Sequence, residues 1–257
     1  MTPADWLALL HALADRADAI ALDWFRRQDL DVATKADQTP VTAADLAIER
    51  ELRTMAQSRH PSLGLIGEEY GATASAAVNL IVDPIDGTAN FARGIPIFAT
   101  LLAIQSGDDM LAGVVSAPAL ATRWRAAKGC GALRNDKPIR VSRIDRLAEA
   151  QVFHGGVAGV ERNAEIPGFM DLLRASKRQR GFGDFYQHVL VAEGAGEIAI
   201  DIGLAPWDIA ALVIVLEEAG GRASTLDGRR DIHGRSLVAS NGALHEQALA
   251  VLAGTSR

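Results

Sequence analysis

Trp6, Leu9, Leu10, Leu13, Ala17, Ile20 and Trp24 recur at spacings of three and four, which predicts an amphipathic helix over residues 4–27. Leu46, Ile48, Leu52 and Met55 continue this type of pattern after Thr42, so a second helix is expected there, stopping before His60-Pro61. Residues 35–40 form a polar loop between the two. The pattern then shifts to short apolar runs. Residues 63–66 and 80–82 read as buried strands, with the small and polar residues 72–79 as a loop between them. Residues 97–105, 111–118 and 122–127 read as successive strands, with turns at 106–109 and 135–138.

Beyond residue 145 strands and helices mix. Strands are expected at 152–154 and 197–201, and helices at 164–176, 185–193 and 208–219. Gly220-Gly221 stops the last of these, as glycine does at a helix C-terminus. A hairpin around Asp227-Gly228 and a helix from Leu244 complete the chain. The expected organisation is two lobes, 1–145 and 146–257, packed as one unit of the α/β (α+β) class.

Composition narrows the class. Apolar residues at 49% and charged residues at 23% are the balance of a soluble globular protein. A net charge of −6 argues against nucleic acid or an anionic membrane as the main partner, since both need a basic face. No apolar run reaches the ~18 residues of a membrane span, and the charged first helix is unlike a signal peptide. Cys130 is the sole cysteine, which fits a reducing, cytoplasmic location. It reads as a small structural residue, without neighbours that would activate a thiolate.

Six acids draw attention by their position. Asp45 lies in the first turn of a helix, Glu68 and Glu69 follow a strand, Asp83 and Asp86 follow another, and Asp208 opens an apolar helix. Side chains at the ends of elements can converge from distant segments. Hard cations such as Mg²⁺ take carboxylate oxygens together with water and substrate phosphate. Without a cation, carboxylates so gathered would repel and take up protons. Each acid also has a plainer reading. Thr42-Ala43-Ala44-Asp45 has the form of a capping box, and Glu68-Glu69, Asp-Pro and Asp-Gly are ordinary at turns. What distinguishes the set is the tight turn Asp83-Pro84-Ile85-Asp86-Gly87-Thr88 after a buried strand. It puts metal-type ligands beside Gly87 and Thr88 at a helix start, where backbone N–H groups suit a phosphate.

Gly67-Glu68-Glu69, Asp83-Pro84-Ile85-Asp86-Gly87-Thr88, Trp207-Asp208-Ile209-Ala210-Ala211 and Glu218-Ala219-Gly220-Gly221 resemble, in order and spacing, the signatures of the inositol monophosphatase family. The resemblance spans essentially the whole chain. It implies a layered αβαβα sandwich, a Mg²⁺-dependent phosphatase of small phosphate monoesters with two or three ions per site, and a homodimer. It also implies roles for single residues. Glu68, Asp83 and the Ile85 carbonyl would hold a first ion, and Asp83, Asp86 and Asp208 a second. Asp45 would support a third ion through water, Thr88 and Glu68 would position the attacking water, and Lys35 would hold its loop near the metals.

For the alcohol side of the substrate two acids stand out, Asp184 and Asp201. The segment Arg180-Gly181-Phe182-Gly183-Asp184-Phe185-Tyr186, followed by Val191-Ala192-Glu193-Gly194, resembles the histidinol-phosphate phosphatase branch. Carboxylates suit a substrate bearing an ammonium and an imidazole. Asp184 has a second reading as a helix N-cap, and Asn241 reads either as a turn residue or as a neighbour of a pocket. The alternatives are an inositol or other sugar monophosphatase, and a regulatory binding protein on the same fold. The six histidines lack a metal-site spacing and read as surface or packing residues.

Overall fold

The computed structural model describes residues 1–26, 32–34, 40–73, 76–157 and 166–254. Helix α1 (Pro3–Phe25) starts at a capping box: the Thr2 hydroxyl accepts from the Asp5 N–H, Asp5 accepts from the Thr2 N–H, and Pro3 follows the cap. Strands β1 (Val32–Thr34) and β2 (Pro40–Thr42) pair antiparallel. Lys35 lies outside the described residues. Helix α2 (Ala43–Arg59) begins at Thr42 and ends before His60-Pro61, as its pattern predicts.

Strands β3 (Gly64–Gly67), β4 (Gly71–Ala72), β5 (Asn79–Asp86), β6 (Ala99–Ser106), β7 (Asp109–Ala117), β8 (Thr122–Ala127), β9 (Ala132–Arg134) and β10 (Lys137–Pro138) form one sheet, ordered β10-β9-β8-β7-β6-β5-β3-β4. Its pairs are antiparallel except β3 with β5. Residues 83–86 continue β5, where the sequence suggested a tight turn. The register with β6 slips between Asp83 and Asp86, an irregularity that re-aims these side chains. The short helix α3 (Thr88–Ala92) follows at once.

A second sheet has the order β12-β11-β13-β15-β14, from β11 (Gln151–His154), β12 (Arg178–Gly181), β13 (Ile198–Ile202), β14 (Arg222–Ser224) and β15 (Ser236–Ser240). Strand β12 has no apolar run to announce it. It is an edge strand, and its polar residues need no core. Helix α4 (Phe169–Ala175) is shorter than the 164–176 pattern because Pro167-Gly168 precede it; residues 164 and 165 lie outside the described residues. Helices α5 (Asp184–Ala192), α6 (Pro206–Glu218) and α7 (His245–Leu252) complete the chain.

Three buried clusters define the layers. Residues of α1 and α2 pack on one face of the large sheet, around Leu10, Leu13, Ile48, Leu80 and Leu102. Residues of α5 and α6 fill the space between the two sheets. Residues of α4 and α7 cover the far face of the small sheet. The result is a five-layer αβαβα sandwich. The central position of α6 explains its composition: Ile209 to Leu216 are all buried, as a helix covered on every side requires. No helix among the described residues is long and apolar enough to cross a membrane.

Candidate active site

A pocket of about 360 Å³ opens where β3, β5 and β13 end and α3, α5 and α6 begin. Glu68, Asp83, Ile85, Asp86, Gly87, Thr88, Asp184, Asp201 and Asp208 all line it. The fold thus brings these candidates together, while Asp45 stands one hydroxyl away and Glu69 and Asn241 are not among the described lining residues. The starts of helices offer positive partial charge, so the pocket favours anions from that side.

Each side chain is held by local structure. Asp45 accepts the Thr42 N–H at 2.8 Å and the Thr42 hydroxyl at 2.6 Å, so its capping reading holds. Its other oxygen lies 3.4 Å from the Thr88 hydroxyl, which also reaches the Ile85 carbonyl at 2.9 Å. Asp208 sits in the first turn of α6 and accepts the Ala205 N–H at 2.7 Å. Gly87 has φ of +81°, a left-handed conformation that glycine adopts at little cost, and it turns the chain from β5 into α3.

Asp184 corrects one expectation. It is the first residue of α5, and its carboxylate accepts from the Asn90 side chain at 3.1 Å instead of capping its own helix. The N–H of Phe185 donates to Asp86 at 2.5 Å, so Asp86 reaches across from the large sheet to the start of α5. Asp201 accepts the Gln187 side chain at 2.9 Å and the Ile202 N–H at 3.0 Å.

The electrostatics are lopsided. Six carboxylates line the pocket, and no lysine or arginine appears among its described lining residues. Burial, then the charges of Glu68, Asp86, Asp208 and Asp45, raises the Asp83 pKa well above the usual carboxylate range. Burial, then Asp184 and Asp208, does the same to Asp86. Burial lifts Asp45 to about 6, Asp184 to about 6 and Asp201 to about 7. Ligand oxygens of Asp83, Asp86 and Asp208 lie within 4.8 Å of one another. Buried Asp83 also leaves Oδ1 without a hydrogen-bond partner. An orphaned carboxylate oxygen inside a convergent acidic trio is what a bound cation would satisfy, so these residues fit a metal. A phosphate dianion could enter this pocket only with cations to offset the carboxylates.

Other residues depart from their sequence readings. His188 lines the pocket, and burial lowers its pKa to about 3, which keeps it neutral. A histidine in mid-helix carries no sequence signal for this, because the wall it joins comes from other elements. Trp207 also lines the pocket. Asn241 is buried and ties the loop before β11 in place through Ser142 and the Ile144 carbonyl, 2.7 Å away, so it acts at its turn and is not among the described residues lining this pocket. Cys130 is exposed, which overturns its structural reading.

Comparison with known proteins agrees with this picture. The model of the inositol monophosphatase family matches residues 3–256. A histidinol-phosphatase of Mycobacterium tuberculosis is 44% identical, over 95% of this chain and 96% of its own. A histidinol-phosphatase of Streptomyces coelicolor is 40% identical, over 96% of this chain and 97% of its own. Among solved structures, an IMPase of Thermotoga maritima superposes with a TM-score of 0.87 at 27% identity, covering 98% of both chains.

Proposed function

Since the chain belongs to the inositol monophosphatase family, we propose that it hydrolyses L-histidinol phosphate to L-histidinol and inorganic phosphate, a step of histidine biosynthesis. The observation that carries this reading is its likeness, along nearly its whole length, to two histidinol-phosphatases. The pocket supports it. Asp184 and Asp201 line the same pocket as the trio of Asp83, Asp86 and Asp208, Asp201 from the second sheet and Asp184 from the start of α5. An ammonium and an imidazole both donate to such carboxylates, and a neutral polyol gains less from two buried anions.

In this reading Glu68, Asp83, Asp86, Asp208 and the Ile85 carbonyl hold Mg²⁺, in two or three ions per site with Asp45 behind them. When bound, Mg²⁺ supplies Lewis-acid stabilisation of the phosphoryl charge and makes water more acidic. Glu68 and Thr88 orient the attacking water, with the Thr88 hydroxyl aimed by Asp45 and the Ile85 carbonyl. Gly87 and Thr88 donate backbone N–H groups to the phosphate, where positioning and charge stabilisation do most of the work. Water adds to phosphorus, the ester P–O bond breaks, and the histidinol oxygen takes a proton. The same reading takes the protein as a cytoplasmic homodimer, with one lobe to about residue 145 carrying most ligands and the rest reading the alcohol.

The test is phosphate release from L-histidinol phosphate and from inositol 1-phosphate, with and without Mg²⁺. L-Histidinol phosphate should be preferred, and only with Mg²⁺. Asp184→Ala should raise KM for it about tenfold or more, as loss of a charged hydrogen bond does, and change turnover of inositol 1-phosphate less. A preference for inositol 1-phosphate would overturn the substrate assignment.

A further inference from the structure

We propose that Glu49 is the positioning residue for Glu68, an inference that rests on Glu68 being a metal ligand. Glu49 lies one helical turn after Asp45 on α2, and both are fully buried, 0% exposed. Asp45 reaches toward Thr88, and Glu49 reaches the segment that follows β3. One Glu49 oxygen accepts the Glu69 N–H at 2.7 Å. The other accepts the Tyr70 N–H at 3.2 Å and the Arg53 Nε–H at 2.8 Å. Arg53 also donates to the Gly71 carbonyl, so the pair grips the segment at three successive residues. On the other side the Glu68 N–H donates to the Val82 carbonyl of β5 at 3.3 Å. The Glu68 backbone is therefore pinned between β5, which carries Asp83, and α2, which carries Asp45.

Gly67 is fitted to this carboxylate. A Cβ there would sit 2.0 Å from one Glu49 oxygen and 2.4 Å from its carboxyl carbon, so only glycine lets the strand end come this close. A carboxylate is also the chemistry the contact demands. Three N–H donors converge on two oxygens, and a side-chain amide would turn its own N–H groups against at least one of them. Helix α2 thus sets two parts of the site from a single i, i+4 face: the Thr88 hydroxyl through Asp45, and Glu68 through Glu49. Supporting groups of this kind commonly change metal affinity or activity 10–100-fold when altered.

The test measures Mn²⁺ binding by calorimetry, alongside steady-state kinetics across Mg²⁺ concentrations, for wild type, Glu49→Gln, Gly67→Ala and Glu68→Gln. Glu49→Gln should stay folded and bind Mn²⁺ about 10–100-fold more weakly. Excess Mg²⁺ should restore much of its turnover, with KM for L-histidinol phosphate near wild type. Gly67→Ala, which reaches the same contact from the other side, should reproduce the weakened Mn²⁺ binding. If Glu49→Gln and Gly67→Ala lose thermal stability yet bind Mn²⁺ as wild type does, while Glu68→Gln binds weakly, Glu49 is a folding residue and the positioning role is overturned. If Glu68→Gln itself binds Mn²⁺ as wild type does, Glu68 is not a ligand and both readings fall.

Discussion

Asp83 concentrates the tension of the site in one residue. Its carboxylate is buried among like charges, and one oxygen lacks a partner. A group in that state opposes folding unless a cation is present. Asp83→Asn should therefore act in opposite directions on two measurements. Phosphatase activity should fall by about 10²-fold or more, since transition-state charge loses a held cation. The Tm of the chelator-treated protein at pH 8 should rise, since the repulsion is relieved. Calorimetry beside a phosphate-release assay checks both, and an Asn variant that is inactive and less stable without metal would count against the site. Asp83 and Asp86 were legible in the sequence because the ligand pair and the glycine turn occupy one short segment. Asn90 was not, because its partner Asp184 lies 94 residues away and only the packed lobes bring them within 3.1 Å. Glu49 was hidden for a related reason. An acid on an amphipathic helix reads as solvated, and only the fold buries it against the end of β3.

At the scale of elements, the long periodic pieces were legible and the short polar ones were not. Helices α1, α2 and α6 fall close to where their apolar spacing predicts. Strands β9, β10 and β12 were missed, because two to four residues at a sheet edge or next to it bury too little to leave a pattern. The sharpest lesson is α6. Its unbroken apolar run already implied a covered helix, and the structure supplies the reason: it lies between the two sheets and carries Asp208 at its first turn. Ile214, 2% exposed, belongs to a buried cluster that includes Leu101 and Val115 of the large sheet and Ala199 and Ala239 of the small one. Ile214→Ala should cost about 2–5 kcal/mol through the cavity it leaves. Because that core is shared, we propose that the two lobes unfold together, so the loss should appear as one transition shifted to lower denaturant. Two separated transitions in the variant, followed by fluorescence and circular dichroism, would mean that the lobes fold independently.

For the whole molecule, the pH dependence of stability should flatten with metal. Between pH 5 and 7 ordinary carboxylates have finished titrating, so only perturbed groups and histidines matter. Asp45 and Asp184 are lifted to about 6 and Asp201 to about 7, and Asp83 and Asp86 are raised as well. In this window the folded, metal-free protein holds protons on these acids that the unfolded chain has already lost. Stability therefore falls as pH rises toward 7. Three histidines work the other way, one of them His11, whose pKa burial and then the charge of Arg123 lower. Burial lowers His188 to about 3 and His245 to about 4, the latter between the Ser224 and Ser240 hydroxyls at 2.8 Å each. Both are neutral in the folded state while the unfolded chain still takes up protons near pH 6.5, so their contribution rises with pH up to that point and is lost as pH falls toward 4. Without metal the raised carboxylates outnumber the histidines, and Tm should decline from pH 5 to pH 7. With saturating Mg²⁺ the carboxylates that hold it remain ionised throughout and their penalty disappears, which leaves Asp184 and Asp201 working against the histidines. Tm should then fall less steeply over the same interval, so the gap between Mg²⁺-loaded and chelated protein widens with pH. Scanning calorimetry at pH 5, 6 and 7 with Mg²⁺ or with a chelator reads this directly. Parallel curves would mean that the acidic cluster is not what the metal relieves.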